Sequence, residues 1–126
     1  MGKDSVKETV QGIIETYIAE AELFDEVLQY TEHSQNLASK GEYSALRDCL
    51  LNRGERIEAI ARLEEKRKEL EKSYTGRIRE DIQKAKEQAK AAYKRVIVSD
   101  NELRLVLSGL RLELEDKLSA LKNGKI

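Results

Sequence analysis

Apolar side chains recur along this chain at alternating intervals of three and four. Val6, Val10, Ile13, Tyr17, Phe24, Val27 or Leu28, and Thr31 form one stripe, the pattern of a long helix that lays a single face against a neighbour. The spacing predicts a helix over residues 4–39, roughly 50 Å long at 1.5 Å per residue. It should stop at Gly41, which can take the left-handed conformation of a helix terminus. Ile14, Ile18, Ala21 and Leu28 widen the stripe beyond a simple seam, and Gly12 is a minor weakness inside it.

Lys40-Gly41-Glu42-Tyr43 reads as a reversing turn, with Ser44 placed to accept hydrogen bonds from the free amides of a second helix. Over 44–73 the helical spacing continues through Leu46, Leu50, Ile57, Ile60, Leu63, Leu70 and Tyr74, while Arg53 and Arg67 fall where apolar residues are expected. Their aliphatic stems can still pack. Lys72-Ser73-Tyr74-Thr75-Gly76 is compatible with either a break or a kink. Beyond it Ile78, Ile82, Ala85, Ala89, Ala92 and Val96 make a narrow stripe over 76–97, whose small residues permit close approach but bury little area. Ser99-Asp100-Asn101-Glu102 matches a capping box, flanked by Val98 and Leu103 in staple positions. It predicts a last helix over 99–122, with Leu103, Leu107, Leu110, Leu114, Leu118 and Leu121 on one seam and Leu105 and Leu112 on another. The fold class is therefore all-α, an antiparallel bundle of three or four long, coiled-coil-like helices in one domain spanning residues 1–126.

Composition supports that reading. The chain has 126 residues, no proline, seven glycines and one phenylalanine, and 37% of it is charged, which favours solvated helices over strands. The net charge is −1, but residues 1–40 carry eight acids against three bases and residues 41–98 carry fifteen bases against eleven acids. An acidic first helix lying against basic neighbours is the arrangement this asymmetry suggests. No run approaches the length of a membrane span, and Asp4, Glu8 and Glu15 interrupt any apolar core of a leader. The expected location is the cytoplasm. A lone Cys49 among Leu46, Leu50 and Leu51 reads as a small buried hydrophobe in a reducing compartment.

Little in the chain points to catalysis. Carboxylate-bridged metal sites in helix bundles draw on Glu-x-x-His pairs, yet the only histidine, His33, follows Tyr30 at that spacing and reads as a solvated or capping residue. No phosphate-cradling glycine pattern occurs, nothing selects two of the many carboxylates as an acid-base pair, and Cys49 has no histidine beside it in sequence. No enzyme activity, cofactor or metal is expected. The basic stretch of Arg77, Arg79, Lys84, Lys86, Lys90, Lys94 and Arg95 could meet phosphates, but an acidic first helix offers it an internal partner, so nucleic acid ranks below a protein partner.

The turn region Leu37-Ala38-Ser39-Lys40-Gly41-Glu42-Tyr43-Ser44-Ala45-Leu46, followed by Arg53, Arg56, Ile57 and Ile60, resembles the flagellar export chaperones of the FliT type. So does Asp100-Asn101-Glu102-Leu103 with Leu107, Arg111, Leu114 and Leu118, and the related FlgN type is hard to separate at this level. The resemblance covers about half the chain. It implies a small cytosolic protein that holds a helical C-terminal segment of a late export substrate, such as the filament cap or a hook-associated protein, prevents premature assembly and delivers it to the export apparatus. The residues expected to contact the partner are Ile14, Ile18 and Leu28 on the first helix, Ile57 and Ile60 on the second, and Leu105 and Leu112 on the last, which would cover the groove when it is empty. The main rival is a structural coiled-coil protein whose extra seams pair in a homodimer, with a helical nucleic-acid-binding protein third.

Overall fold

The computed structural model describes residues 3–74, 76 and 79–124, so that Met1, Gly2, Thr75, Arg77, Ile78, Lys125 and Ile126 lie outside the described residues. Among those described, the chain forms three α-helices: α1 (Lys3–Ser39), α2 (Tyr43–Ser73) and α3 (Glu80–Lys122). The fold is an all-α bundle. α2 runs antiparallel to α1, and α3 returns alongside α1 in the same direction, with Tyr17 near Ala85 and Ala89 at one end and Leu37 near Leu107 and Leu110 at the other.

The first turn forms as its glycine requires. Gly41 has φ +72°; its amide donates to Ala38 O at 3.2 Å and the Glu42 amide to Leu37 O at 3.0 Å, the paired bonds of a Schellman terminus. α2 begins two residues earlier than Ser44 would allow as a cap: Glu42 occupies the cap position without a side-chain bond. The ambiguous stretch after Ser73 is a break, because Tyr74 and Arg79 are both extended (φ −101°, ψ 112° and φ −91°, ψ 149°). α3 opens at Glu80 and Asp81, whose charges suit the positive end of a helix, and not at residue 76.

The largest departure is at Ser99. The expected boundary there does not exist, and α3 runs unbroken for 43 residues, about 64 Å. Ser99 is buried, and Gln35 Nε2 donates to its carbonyl at 2.8 Å. Val98 is 62% exposed while Leu103 is buried, so the two do not staple a terminus. A capping box only competes with helix continuation where the preceding turn can leave the helix. Here Ala92, Val96 and Leu103 are all buried on one side of α3, and continuity keeps them in register.

Three apolar clusters run along the bundle. Ile13, Tyr17, Ala85 and Ala89 form the first, Val27, Ile60 and Val96 the second, and Leu37, Ala38, Leu46 and Cys49 the third. Of the first-helix stripe, Val10, Ile13, Tyr17, Val27 and Thr31 are buried, Phe24 is half-buried and Val6, near the start of the helix, is exposed. Gly12 is not merely a weak point: a Cβ there would lie 3.0 Å from Leu70 Cδ1, so its absence lets α2 approach. Cys49 is buried, its thiol accepting from Ser34 Oγ at 3.2 Å and donating to Tyr30 O at 3.3 Å.

α1 is the helix on which everything packs. Both α2 and α3 lie along it, but among the described residues no Cα of α2 comes within 8 Å of a Cα of α3. The three helices thus make an open bundle with a channel between α2 and α3, floored by α1.

Because α3 is continuous, proline in its middle should be costly. Asn101→Pro is expected to destabilise the protein by about 3 kcal/mol or more, whereas a helix starting at Ser99 would tolerate it in the first turn. Thermal unfolding of this variant beside Asn101→Ala, an exposed-site control, measures the difference.

Candidate helix-binding groove

The channel is apolar at its centre and charged at its ends. Phe24 and Val27 form its floor, Ile57, Ile60 and Ala61 one wall, and Tyr93, Val96 and Ile97 the other, around a hollow of about 400 Å³. A second hollow of about 330 Å³ shares Phe24, Glu64 and Tyr93 and extends toward Tyr17 and Arg67. On α2 the span from Arg53 to Arg67 is roughly 21 Å, about four turns of a docked helix. Phe24 and Tyr93 meet edge to face, with ring centroids 5.5 Å apart.

At one end Arg53 crosses from α2 to α3. Its Nη2 lies 2.5 Å from Asp100 Oδ1, and its Nε donates to Thr31 Oγ1 on α1 at 2.8 Å. Arg104 Nε holds the other carboxylate oxygen of Asp100 at 3.0 Å. At the other end Arg67 reaches down from α2 to the buried carboxylate of Glu20 on α1 and lies 3.5 Å from Glu71, with its guanidinium carbon 4.2 Å above the Tyr17 ring. Tyr17 Oη donates to Glu71 at 3.4 Å. Both arginines sit where an apolar residue is expected on α2. Arg53 thereby reaches α3, while Arg67 ties α2 to α1.

Burial dominates the titration of this end. Desolvation raises the Glu20 carboxyl above the ordinary range even though the hydrogen bond and charge of Arg67 pull it down. Desolvation likewise raises the Tyr17 hydroxyl, against the lowering effect of Arg67. The acidic α1 meets basic neighbours outside the groove as well: Asp25 pairs with Arg95 at 3.1 Å and Glu26 with Arg56 at 4.0 Å. Arg56 also lies 5.0 Å from the centre of the Tyr30 ring.

The residues singled out in the sequence divide among several places. Ile57 is 42% exposed on the groove wall and Ile60 is buried beneath it. Leu28 is half-buried against the Val27, Ile60 and Val96 cluster, and Ile14 is half-buried at the lower cluster. Ile18 is exposed and does not line either hollow. Leu105 and Leu112, with Val98, are exposed at intervals of seven on α3, about half a turn of the helix away from buried Leu103 and from Leu110. They do not cover the groove. The expectation of a last helix folding over it is not met, because residues 99–122 continue α3.

Tyr93, Ile97 and Arg104 on the α3 wall were not legible as site residues, and Asp100 read as part of a helix start. Their intervals of four, three and four mark a second face of α3 beside the buried Ala89, Ala92 and Val96 stripe, a signal that only becomes visible once Ser99 is placed inside the helix. His33 is exposed, and among the described residues no three His, Cys, Asp or Glu side chains converge as metal ligands do. No described helix is long and apolar enough to cross a membrane. What the fold and groove define is an open three-helix bundle with a partly apolar channel between α2 and α3. No family model, curated protein or solved structure matches the chain.

Truncating Arg67 leaves Glu20 buried without its nearest cation. Arg67→Ala is expected to cost about 3–5 kcal/mol at neutral pH. In the variant Glu20 is held still higher, so folding takes up a proton there as pH falls. The loss should therefore be fully present above the raised carboxyl value and shrink in mild acid. Urea titrations of wild type and variant at neutral and mildly acidic pH compare the two, and a loss that does not change with pH would contradict the assignment.

Proposed function

We propose that this chain is a cytoplasmic holding protein that captures an amphipathic helix of another protein in the channel between α2 and α3, in the manner of the export chaperones it resembles. The observation that carries the reading is the separation of α2 and α3 over an apolar floor: Ile57 and Ile97 remain 42% and 40% exposed although both border a concave surface that a fourth helix could cover. Apolar residues of a partner at intervals of three and four would enter it. Burial contributes about 25 cal/mol per Å² of apolar surface, and the charged ends fix direction more than affinity.

Lys86 and Lys90 line the α3 side of the lower hollow and make no ion pair among the described residues. They favour a partner helix with acidic residues along that flank. In the export reading the partner is the C-terminal segment of a filament-cap or hook-associated protein. Holding that segment would keep it from assembling, and the enclosing Arg53, Asp100 and Arg104 network would set how far the partner extends toward the α1–α2 turn.

Calorimetric titration with such C-terminal peptides from the same organism should give 1:1 binding in the micromolar range or tighter. Ile57→Asp and Ile97→Asp should each weaken it at least about tenfold with little change in thermal stability, since both side chains are already partly in water. Leu112→Asp, remote from the groove, should leave it unchanged. Absence of binding to any of these peptides would remove the export reading.

A further inference from the structure

The two walls of the groove differ in bulk and in charge. Ile57, Ala61 and Glu64 line it from α2, and Gly54 stands seven residues before Ala61, on the same edge of the helix. Glycine weakens a helix interior, and no packing inside the chain calls for it here: a Cβ at Gly54 would meet nothing within 4 Å, whereas the space at Gly12 is taken by Leu70. Gly54 and Ala61 thus leave two low places on the α2 rim, either side of exposed Ile57, where a helix from outside can come close.

Facing them on α3, Lys86, Lys90, Tyr93, Ile97, Asp100 and Arg104 recur at intervals of four and three. That wall sets Lys86, Lys90 and Arg104 against Asp100, while α2 balances Arg53 and Arg67 with Glu64 and Glu71, and the floor adds Glu20. Arg53 is committed to Asp100, and Arg67 to Glu20 and Glu71. Glu87 lies one face further out on α3 and accepts from Gln83 Nε2 at 2.8 Å. The α2 wall is therefore low and neutral in sum, and the α3 wall is basic.

We infer, resting on the reading that the groove captures a helix, that its occupant is an amphipathic helix with carboxylates along one flank and small or apolar residues along the other. The bare flank seats against Gly54, Ile57 and Ala61, and the acidic flank faces α3, within reach of the long side chains of Lys86, Lys90 and Arg104. Lys86 and Lys90 are about 6 Å apart along the axis, the spacing of two carboxylates one turn apart on the partner. Arg104 is about 27 Å from Lys86, so it meets a carboxylate near the other end. A basic flank in the same place sets like charge against like.

Three hydrocarbon-stapled helical peptides test this by calorimetric titration of the full chain. Each has the same leucines at intervals of three and four, and one flank carries glutamate, glutamine or lysine. The glutamate peptide should bind at least about tenfold more tightly than the lysine peptide, with glutamine between them, and the difference should shrink in about 1 M salt. Lys86→Glu with Lys90→Glu should reverse the order, which a folding defect cannot do. Gly54→Leu should raise the melting temperature by about 3 °C and yet weaken the glutamate peptide at least about tenfold. Equal affinity for the three peptides, an order unchanged by the lysine reversal, or wild-type affinity in Gly54→Leu would each overturn the inference. If the glutamate peptide binds and no export-substrate peptide does, the inference stands and the export reading alone falls; if no peptide of either set binds, both fall.

Discussion

Every tertiary contact between helices that brings backbones close runs through α1, and this is the constraint on which the rest of the molecule depends. A helix packed on two sides must bury a wide arc, and the arc of α1 includes Thr16, Glu20, Thr31 and Ser34 as well as its apolar stripe. Each polar group there has a partner. Thr16 and Thr31 donate to carbonyls of their own helix, both at 2.7 Å, Ser34 donates to the Cys49 thiol, and Glu20 receives Arg67. Among the described residues no buried side-chain nitrogen or oxygen is left without a bond, which removes the penalty that would otherwise accompany such a polar interior.

The same constraint explains the two arginines of α2. If α2 and α3 were in direct contact, leucines at positions 53 and 67 would fill the space between them. Since they are not, the long guanidinium side chains of Arg53 and Arg67 span from α2 to Asp100 and Glu20. Partly buried ion pairs of this kind return little net stability once desolvation is counted. Their contribution here is register: Arg53 fixes α2 against α3 at one end of the channel, and Arg67 fixes α2 against α1 at the other.

The open channel and the leucine overhang are two different consequences of one mismatch. α1 is shorter than α3, so the far end of α3 has nothing beneath it, and α1 offers two neighbours a surface without bringing those neighbours together. Apolar surface is left over laterally, at Ile57, Tyr93 and Ile97, and axially, at Leu114, Leu118 and Leu121. The lateral surface is concave and flanked by charges at both ends, whereas the axial one is a convex seam of one helix.

Helical periodicity and turn chemistry were written in the sequence by itself. The first-helix stripe, the Gly41 terminus, the absence of strands among the described residues, the buried Cys49 and the attraction between an acidic α1 and basic arginines all follow from residue type and spacing, because these are local or nearest-neighbour effects. The tertiary structure alone decided that Ser99 lies inside a helix, that Leu105 and Leu112 face outward, and that Tyr93 and Ile97 share a groove with Ile57. A capping box and a mid-helix Ser-x-x-Glu are the same four residues, and a seam that packs is spelled like a seam that does not. Which of each pair is realised depends on whether a neighbouring helix is long enough, and near enough, to cover it, and that is a property of how the elements are placed against one another.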